Sequence, residues 1–317
     1  MSDKREPGHI GLGQGIEFDL IRQLLAEWGE SAHGIGDDAA IVQVPPGEKL
    51  VVTTDTSVDG IHFRREWLSR HEIAYRATAA ALSDLAAMAA RPLGLVVAIT
   101  LPEGDRAKVS SLAKGIGESS RASGCPIVGG DLSSGSTLSF TITAFGSAPK
   151  PLSRAGARVG ERVYVTGSLG GPAAAVRAWL AGKEPTVTDR GRFARPVPRI
   201  DAALALAERG ASGAVDISDG LMADLAHVAA ASGVHIEVDL ERIPVVAGVT
   251  PLEAAGSGEE YELAVTAPEI DVREFSGAAG VPLAEIGRIV AGPPGVDLLQ
   301  KGTKVTVPTG YDHFRRK

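Results

Sequence analysis

The pattern of apolar and polar positions along the chain predicts strands alternating with helices. Residues 17–29 carry apolar side chains at helical spacing and end in glycine, which indicates a helix. Residues 50–54 form a β-branched run typical of a strand. The capping-box spacing of Ser69 and Glu72 predicts the start of a long alanine-rich helix that reaches about residue 90. The same pattern predicts strands over 93–101, 137–146, 162–166, 234–239 and 261–266. It predicts helices over 105–123, 201–209 and 219–232, and one more helix that begins after a glycine turn and reaches about residue 180.

The best candidate for a domain boundary is the segment Ser-Ala-Pro-Lys-Pro at residues 147–151. Proline restricts the conformation of its neighbours, and the strand–helix pattern starts again after this segment. We therefore predict a loose leader over residues 1–15, an N-terminal α/β domain over residues 16–146 and a C-terminal α/β domain over residues 147–317.

Composition excludes several classes of protein. The chain has 317 residues, 44% apolar and 22% charged, which is a globular composition. A net charge of −7 argues against a nucleic-acid-binding face, which would be basic. The lone Cys125 excludes an internal disulfide, favours a reducing compartment and suits a core residue better than a nucleophile. With no secretory or membrane-spanning segment apparent, we expect a cytoplasmic protein that binds neither nucleic acid nor membrane.

Short acidic segments flanked by Gly, Ser or Thr are the candidate chemistry. Each stands where the pattern predicts that a strand or turn passes into a loop. Any one of them alone is an ordinary turn or helix cap. Together they favour a site for a hard cation such as Mg²⁺ at the carboxyl ends of strands. The segments are residues 34–38, 53–56, 82–85, 129–131 and 216–220.

The common phosphate-binding motifs are missing from the sequence. No G-x-x-x-x-G-K-[ST] occurs and no G-x-G-x-x-G follows a predicted strand. The turn at 167–171, Gly-Ser-Leu-Gly-Gly, ordinarily just ends a strand, although its amides could line a phosphate. An EF-hand match that begins at Asp55 is read as coincidence, because a strand precedes it instead of a helix. Any bound phosphates would thus be neutralised by metal ions rather than by a lysine loop.

Eight short motifs follow one another in order along the chain. They are Gly-Ile-Gly-Asp-Asp-Ala-Ala (34–40), Thr-Thr-Asp-Thr (53–56), Gly-Ile-His-Phe (60–63), Leu-Ser-Asp-Leu-Ala-Ala-Met (82–88), Gly-Gly-Asp (129–131), Asp-Ile-Ser-Asp-Gly-Leu (216–221), Gly-Glu-Glu-Tyr-Glu-Leu (258–263) and Gly-Tyr-Asp-His-Phe (310–314). With these motifs the sequence resembles the thiamine-monophosphate kinase family over about residues 17–314. The resemblance implies an aminoimidazole-ribonucleotide-synthetase-like fold of two α/β domains, in which the N-terminal sheets of two subunits pair into a shared barrel. It also implies transfer of the γ-phosphoryl group of ATP to thiamine monophosphate.

The resemblance implies roles for individual residues, several Mg²⁺ ions and a homodimer. The chain departs from the family pattern at Gly15-Ile16-Glu17-Phe18, which has an extra residue, and at Glu260, where the family commonly has Asp. Residues that resemble the family's metal ligands are Asp38, Thr53, Thr54, Asp55, Asp84, Asp131, Asp216 and Asp219; those that resemble its ATP contacts are Gly130, Arg154 and Ser218; those that resemble its substrate contacts are His62, Glu259 and Tyr311.

Two alternatives stay open from the sequence. The first is another ATP-dependent enzyme of the same superfamily, such as aminoimidazole ribonucleotide synthetase. Residues 1–40 lack the reactive cysteine expected of a selenophosphate synthetase, and the end of the chain lacks the cysteine expected of a hydrogenase-maturation dehydratase. The second alternative is a non-catalytic module that binds divalent metal without nucleotide.

Overall fold

The computed structural model describes residues 13–306, which form two compact units. The first unit ends at Pro149, and the second begins at Lys150 and also includes Ala86–Ala90. Tyr311 and the rest of the 310–314 motif, together with most of the predicted leader, lie outside the described residues. No helix within the described residues combines the length and the apolar run that crossing a bilayer requires.

The first unit is a four-stranded mixed sheet with helices packed on one face. The strand order is β1-β4-β2-β3; β4 runs antiparallel to both of its neighbours, and β2 and β3 are parallel. Its elements are α1 (Ile16–Trp28), β1 (Lys49–Val58), α2 (Arg70–Ala87), β2 (Arg91–Leu101), α3 (Val109–Ala122), β3 (Ile127–Ser134) and β4 (Ser139–Ala148).

Alternation along the strands of this unit separates a buried face from a half-exposed one. In β2, Leu95, Val97 and Ile99 are buried, while the residues between them are less so. The buried face is covered by helices whose own apolar side chains, such as Leu82 of α2 and Ile116 of α3, are fully buried. The hydrophobic effect therefore fixes which strand residues face the helices.

The second unit is a seven-stranded mixed sheet with cores on both faces. Successive residues of β5 go to different apolar clusters, Val163 and Val165 to one and Tyr164 to the other. The strand order is β11-β10-β7-β9-β5-β8-β6. Its elements are β5 (Arg162–Thr166), α4 (Gly171–Leu180), α5 (Val187–Ala194), α6 (Ile200–Glu208), β6 (Gly213–Asp216), α7 (Leu221–Ser232), β7 (His235–Asp239), α8 (Pro251–Ala255), β8 (Leu263–Ala267), α9 (Val272–Ala279), β9 (Leu283–Val290), β10 (Gly295–Gln300) and β11 (Thr303–Val305).

The prediction of a two-domain α/β fold is confirmed. The capping box at the start of α2 is also present, since Glu72 N–H donates to Ser69 Oγ and Ser69 N–H donates to the Glu72 carboxylate. Cys125 is a buried free thiol, and burial raises its pKa to about 12, which suits the predicted core role. Because Asp55 lies inside β1, the entering helix of an EF-hand is absent there, as expected.

Candidate functional site

In the first unit, β1 and α2 bring three of the predicted metal ligands together. Thr53 and Asp55 share one face of β1 because side chains alternate along a strand. Asp55 lies in register with Ile142, a buried residue of β4, so this face is the one covered by helices. The Thr53 hydroxyl donates to Oδ2 of Asp84 on α2 at 2.5 Å. The three side chains are partly exposed and form an oxygen-rich cluster suited to a hard cation.

The side chains of Thr54 and Asp131 lie on the other face of this sheet. Thr54 is exposed, and its hydroxyl oxygen is 2.8 Å from that of Thr143. Asp131 shares a row across β2 with Thr141, two residues from Thr143 and therefore on the same face. It belongs to the opposite edge strand from β1, roughly 14 Å away at three strand spacings. This unit therefore does not bring the Asp131 side chain to the Thr53–Asp84 pair.

The expected placement of the acidic segments at the ends of strands is wrong for three of them. Asp55 lies inside β1, Asp84 inside α2 and Asp131 inside β3. The small Gly, Ser and Thr neighbours suggested turns, but they lie instead on an exposed strand face and in a tightly packed helix. Asp216, by contrast, is the last residue of β6, as expected.

Gly130, the predicted ATP contact, occupies a position in β3 that has no room for a side chain. A Cβ atom built there would lie 2.2 Å from the carbonyl oxygen of Val97 on β2. Real Cβ contacts do not reach that distance, so the close pairing of β2 and β3 requires glycine. The next residue on the strand is Asp131, whose Oδ2 accepts a hydrogen bond from Ser133 Oγ at 3.0 Å.

Asp38 lies on an exposed loop that precedes β1. Its backbone N–H donates to the Asp37 carboxylate at 2.9 Å, a local bond typical of Asp-rich loops. The carboxylate of Asp38 is on the surface of this loop, where it is available to a ligand but is not shaped by a buried contact.

His62 is held in a short loop that follows β1. Its Nδ1 accepts a hydrogen bond from the Val58 N–H at 3.1 Å. A ring nitrogen that accepts cannot carry the proton in neutral imidazole, so the proton is on Nε2 and that atom is a donor. An Nε2–H donor is suited to a phosphate oxygen.

A buried ion-pair network that sequence reasoning missed anchors the same loop. Arg65 Nε is 2.5 Å from Asp59 Oδ2, and Arg65 Nη1 is 3.0 Å from Asp105 Oδ2. Arg70 Nε is 2.6 Å from the other oxygen of Asp105, which is only 1% exposed. A buried carboxylate needs such partners, so the pairs fix both ends of the His62 loop.

In the second unit, two loops bring Asp216, Ser218, Asp219 and Glu259 close together. The loop over 217–220 leads from β6 into α7, and the loop over 256–262 leads into β8. Glu259 N–H donates to the Ser218 carbonyl oxygen at 2.7 Å. The predicted metal ligands Asp216 and Asp219 and the predicted substrate contact Glu259 therefore lie at one end of this unit's sheet.

The Glu259 loop holds two residues in a left-handed conformation. Glu259 has φ 64° and Tyr261 has φ 52°, both unfavourable for non-glycine residues. The Tyr261 hydroxyl donates to Oε2 of Glu259 at 2.9 Å. A Cβ at Gly258 would lie 2.6 Å from the Ser218 carbonyl oxygen, so the two loops touch through backbone. Backbone strain of this kind is concentrated at functional sites.

Asp224, in the first turn of α7, is a residue that sequence reasoning missed. Its Oδ2 accepts hydrogen bonds from the N–H groups of Ser218, Asp219 and Gly220 at 3.0, 3.1 and 3.1 Å. Burial and the charge of Asp219 raise the pKa of Asp224 to about 6. Ligand atoms of Asp219, Asp224 and His227 all lie within 4.8 Å of one another, a spacing that could hold a metal ion. The sequence signal that could have pointed to Asp224 is its place five residues after Asp219, near the start of the predicted helix.

Arg154 lies at the far end of α7 from the Asp219 loop. Its carbonyl oxygen accepts a hydrogen bond from Ser232 Oγ, at the last residue of the helix. Leu221 and Ser232 are the first and last of the twelve residues of α7, so their Cα atoms are roughly 16 Å apart along the helix axis. The backbone of Arg154 is thus not brought next to Ser218, the other predicted ATP contact in this unit.

Two buried glutamates lie beneath the glycine turn at 167–171. Oε1 of Glu260 accepts from Gly170 N–H at 2.6 Å and from Ser257 Oγ at 2.5 Å. Glu262 forms a bidentate pair with Arg199, with N–O distances of 2.7 and 2.6 Å. Because a carboxylate already occupies the Gly170 amide, the suggestion that this turn lines a phosphate is wrong for that amide.

Glu260 also lines a pocket of about 220 Å³ with Arg192, Arg195 and Arg199. Burial raises its pKa to about 7, although its hydrogen bonds from Ser257 and Gly170 act in the opposite direction. Among the described residues, its Oε2 has no hydrogen-bond partner. This glutamate is one of the two places at which the sequence departs from the common family pattern.

Two family descriptions match most of the chain. The description "AIR synthase related protein, N-terminal domain" matches residues 36–148. The description "AIR synthase related protein, C-terminal domain" matches residues 158–298.

Curated relatives of similar length are thiamine-monophosphate kinases. That of Escherichia coli strain K12 is 36% identical over 300 residues, which cover 89% of this chain and 91% of the relative. That of Haemophilus influenzae is 36% identical and covers 94% of this chain and 98% of the relative. That of Methanopyrus kandleri is 38% identical, with coverage of 87% and 89%.

Solved structures give the same result. The crystal structure of thiamine-monophosphate kinase from Stenotrophomonas maltophilia K279a is 33% identical, with a TM-score of 0.80 and coverage of 92% of this chain and 98% of that one. The structure of AaThiL complexed with AMPPCP and TMP is 29% identical, with a TM-score of 0.74 and coverage of 94% and 97%. A hydrogenase maturation protein HypE in complex with ATP, 20% identical with a TM-score of 0.75, shares the fold.

Proposed function

Because the chain belongs to the thiamine-monophosphate kinase family of AIR synthase related proteins, we propose that it transfers the terminal phosphoryl group of ATP to thiamine monophosphate. The products are thiamine diphosphate and ADP. The observation that carries this function is the match to AaThiL over nearly its whole length, because that protein is complexed with the nucleotide analogue AMPPCP together with TMP. Binding of nucleotide and acceptor at once is what a direct transfer needs.

The transfer proceeds in line, without a phosphorylated enzyme. An oxygen of the substrate phosphate is ionised at neutral pH, so it forms the new P–O bond while the bond to ADP breaks. No side chain has to remove a proton from this nucleophile. The protein's task is to hold two anionic groups together and to stabilise charge on the transferring group.

The donor atoms of the predicted metal ligands suit Mg²⁺. They are carboxylate and hydroxyl oxygens, which hard cations prefer, and in the first unit Thr53, Asp55 and Asp84 already share one face. Bound Mg²⁺ supplies neutralisation of phosphate charge and orientation of the phosphates. The residues that would hold several such ions are Asp38, Thr53, Thr54, Asp55, Asp84 and Asp131 in the first unit and Asp216 and Asp219 in the second.

We assign the remaining contacts by their positions in the two units. Gly130, an exposed residue of β3, is assigned to ATP on the family resemblance, and Ser218 offers a hydroxyl beside Asp219. His62 donates through Nε2–H to the substrate phosphate, and the strained Glu259 binds the substrate from the second unit. Arg154 as a contact to ATP and Tyr311 as a contact to the substrate are assigned on the family resemblance alone.

We also propose a homodimer that forms through the sheet of the first unit. β1 and β3 are edge strands with one neighbour each among the described strands, and such edges favour pairing. On the face away from the helices, Leu50 and Val52 of β1 are 50% and 51% exposed. Pairing of two copies would cover both the edges and these apolar side chains.

The use of ATP and the single reduced cysteine support a cytoplasmic location. The net charge of −7 gives no support to a nucleic-acid partner.

The function is tested by identifying the product. Purified protein is incubated with thiamine monophosphate, Mg²⁺ and ATP labelled at its γ-phosphate, and the mixture is separated by chromatography. We expect the label in thiamine diphosphate and none on the protein. Release of the label as inorganic phosphate alone would exclude the kinase. Metal-dependent thermal stabilisation without any effect of AMPPCP would instead indicate a non-catalytic metal-binding module.

A further inference from the structure

The carboxylate of Asp224 accepts three hydrogen bonds from the loop that precedes α7. Three successive N–H groups, those of Ser218, Asp219 and Gly220, donate to the same oxygen of Asp224 at 3.0 to 3.1 Å. Asp224 is 2% exposed, so little water competes for these bonds. Hydrogen bonds to an ionised acceptor are stronger than bonds between neutral groups, and three of them fix the backbone of the whole loop.

This arrangement differs from an ordinary helix cap, because the amides that Asp224 binds precede α7. The residue that precedes α7, Gly220, has no side chain that could cap the helix. The amides at this end would otherwise be donors for an anion such as phosphate. Because Asp224 accepts the hydrogen bonds of the amides of residues 218–220, those three amides are not available to a ligand, whereas the Ser218 hydroxyl and the Asp219 carboxylate belong to partly exposed residues.

The loop that precedes α7 is also hydrogen-bonded to the neighbouring Glu259 loop. The Ser218 carbonyl oxygen accepts the Glu259 N–H at 2.7 Å, and the Ile217 carbonyl oxygen accepts the Tyr261 N–H at 2.9 Å. A shift of the 218–220 backbone would therefore move Glu259 as well as Asp219.

We propose that Asp224 is a positioning residue that fixes the Ser218–Gly220 loop so that Asp219 and Ser218 face their ligands. The assignment of ligands to Asp219 and Ser218 rests on the proposed function; the holding of the loop does not. Asp224 acts through the loop and does not itself have to touch the substrate or the reacting atoms.

Two variants and a matched control test the proposal. Asp224→Ala removes the acceptor, and Asp224→Asn keeps one oxygen while removing the charge. Asp201→Asn makes the same chemical change at an exposed residue in the first turn of α6. For each protein, hydrogen exchange of the amides at 218–220 is measured without ligands, and the Mg²⁺ concentration for half-maximal activity is measured at saturating ATP.

We expect Asp224→Ala to speed exchange of the 218–220 amides about tenfold or more, with the strands of the same unit unchanged. We also expect it to raise the Mg²⁺ requirement about tenfold, as loss of a residue that supports a metal ligand does. Asp224→Asn should give about a threefold change in both measurements, and Asp201→Asn should match the unmodified protein.

Unchanged loop exchange in Asp224→Ala would overturn the proposal, and so would faster exchange throughout the unit with an unchanged Mg²⁺ requirement. If Asp224→Ala does not fold, Asp224→Asn decides: a rise in both quantities supports the proposal and wild-type values contradict it. If the unmodified protein makes no thiamine diphosphate, the proposed function fails, while the exchange measurement still tests the role of Asp224.

Discussion

At the scale of residues, the candidate cation ligands of the first unit are the side-chain oxygens of Thr53, Asp55 and Asp84. The Thr53 hydroxyl and the Asp84 carboxylate are joined at 2.5 Å, and Asp55 stands on the same face of the sheet. The sequence contains no lysine-bearing loop of the kind that binds phosphate in P-loop enzymes. We therefore propose that cations held on these oxygens balance the charge of the phosphates.

Asp84→Asn tests whether the charge of the Asp84 carboxylate holds a cation. The amide oxygen can still accept the Thr53 hydrogen bond, so the fold should survive, with the melting temperature changed by about 2 °C or less. Loss of the charge should lower kcat about 100-fold or more, because the residue would no longer hold a cation at the transferring phosphoryl group. Activity assays and thermal unfolding measure the two effects, with Asp201→Asn as the control. Full activity of Asp84→Asn would refute the ligand assignment.

Glu260→Gln tests the cost of a buried carboxylate. The pKa of Glu260 is raised from 4.5 to about 7, mainly by burial. Below pH 4.5 the group is protonated in both the folded and the unfolded state. As the pH rises from about 4.5 to about 7, the unfolded state loses its proton while the folded state keeps it, so the free energy of unfolding falls by about 3 kcal/mol over this range.

Chemical unfolding at pH 5 and pH 8 measures this difference. Glutamine keeps an oxygen for Gly170 and Ser257 but does not ionise, so the variant should lose less stability between the two pH values than the unmodified protein does. An equal loss in both proteins would show that Glu260 does not titrate in this range.

At the scale of elements, the close pairing of β2 and β3 depends on Gly130. We expect Gly130→Ala to lower the free energy of unfolding by about 1–3 kcal/mol, because the new methyl group would push against the Val97 carbonyl. Activity should fall as well, since Asp131 is the next residue on the strand. Gly277→Ala is the control, because an exposed Cβ at that position in α9 meets no atom within 4 Å. Equal stability of the two variants would contradict the account of β3.

The sequence predicted the elements whose local pattern agrees with their packing. The strand over 162–166 has the predicted bounds, and the helices around 17–29 and 201–209 are displaced by only one residue at each end. The sequence did not predict β3, because Gly129 and Gly130 resemble a turn. Only the pairing with β2 makes this segment a strand. Strand propensity alone cannot register a partner that is distant in the sequence.

The candidate site was predictable only in part, for a similar reason. Aspartates next to Gly, Ser or Thr mark positions where a ligand can approach, and this pattern selected Asp84 and Asp219 as candidate ligands. Asp224, which accepts hydrogen bonds from the Asp219 loop, and Asp105, which pairs with the arginines at the His62 loop, look in the sequence like any other Asp in a helical turn. Their role arises from backbone and guanidinium groups that the fold brings to them.

At the scale of the whole molecule, the proposed homodimer has a measurable mass. Light scattering after gel filtration should give twice the chain mass of 32.7 kDa. Val52→Arg places a charge on the proposed contact face and should yield a folded monomer, whereas Val187→Arg, at a 90% exposed position in the second unit, should leave the dimer intact. A monomeric native protein would contradict the dimer.

The dependence of the reaction on divalent cations is the central claim for the whole molecule. The initial rate of thiamine diphosphate formation from thiamine monophosphate and ATP is measured after treatment with excess EDTA and again after Mg²⁺ is restored. We expect no product in EDTA and full recovery with Mg²⁺. Formation of thiamine diphosphate at the full rate in EDTA would contradict the claim.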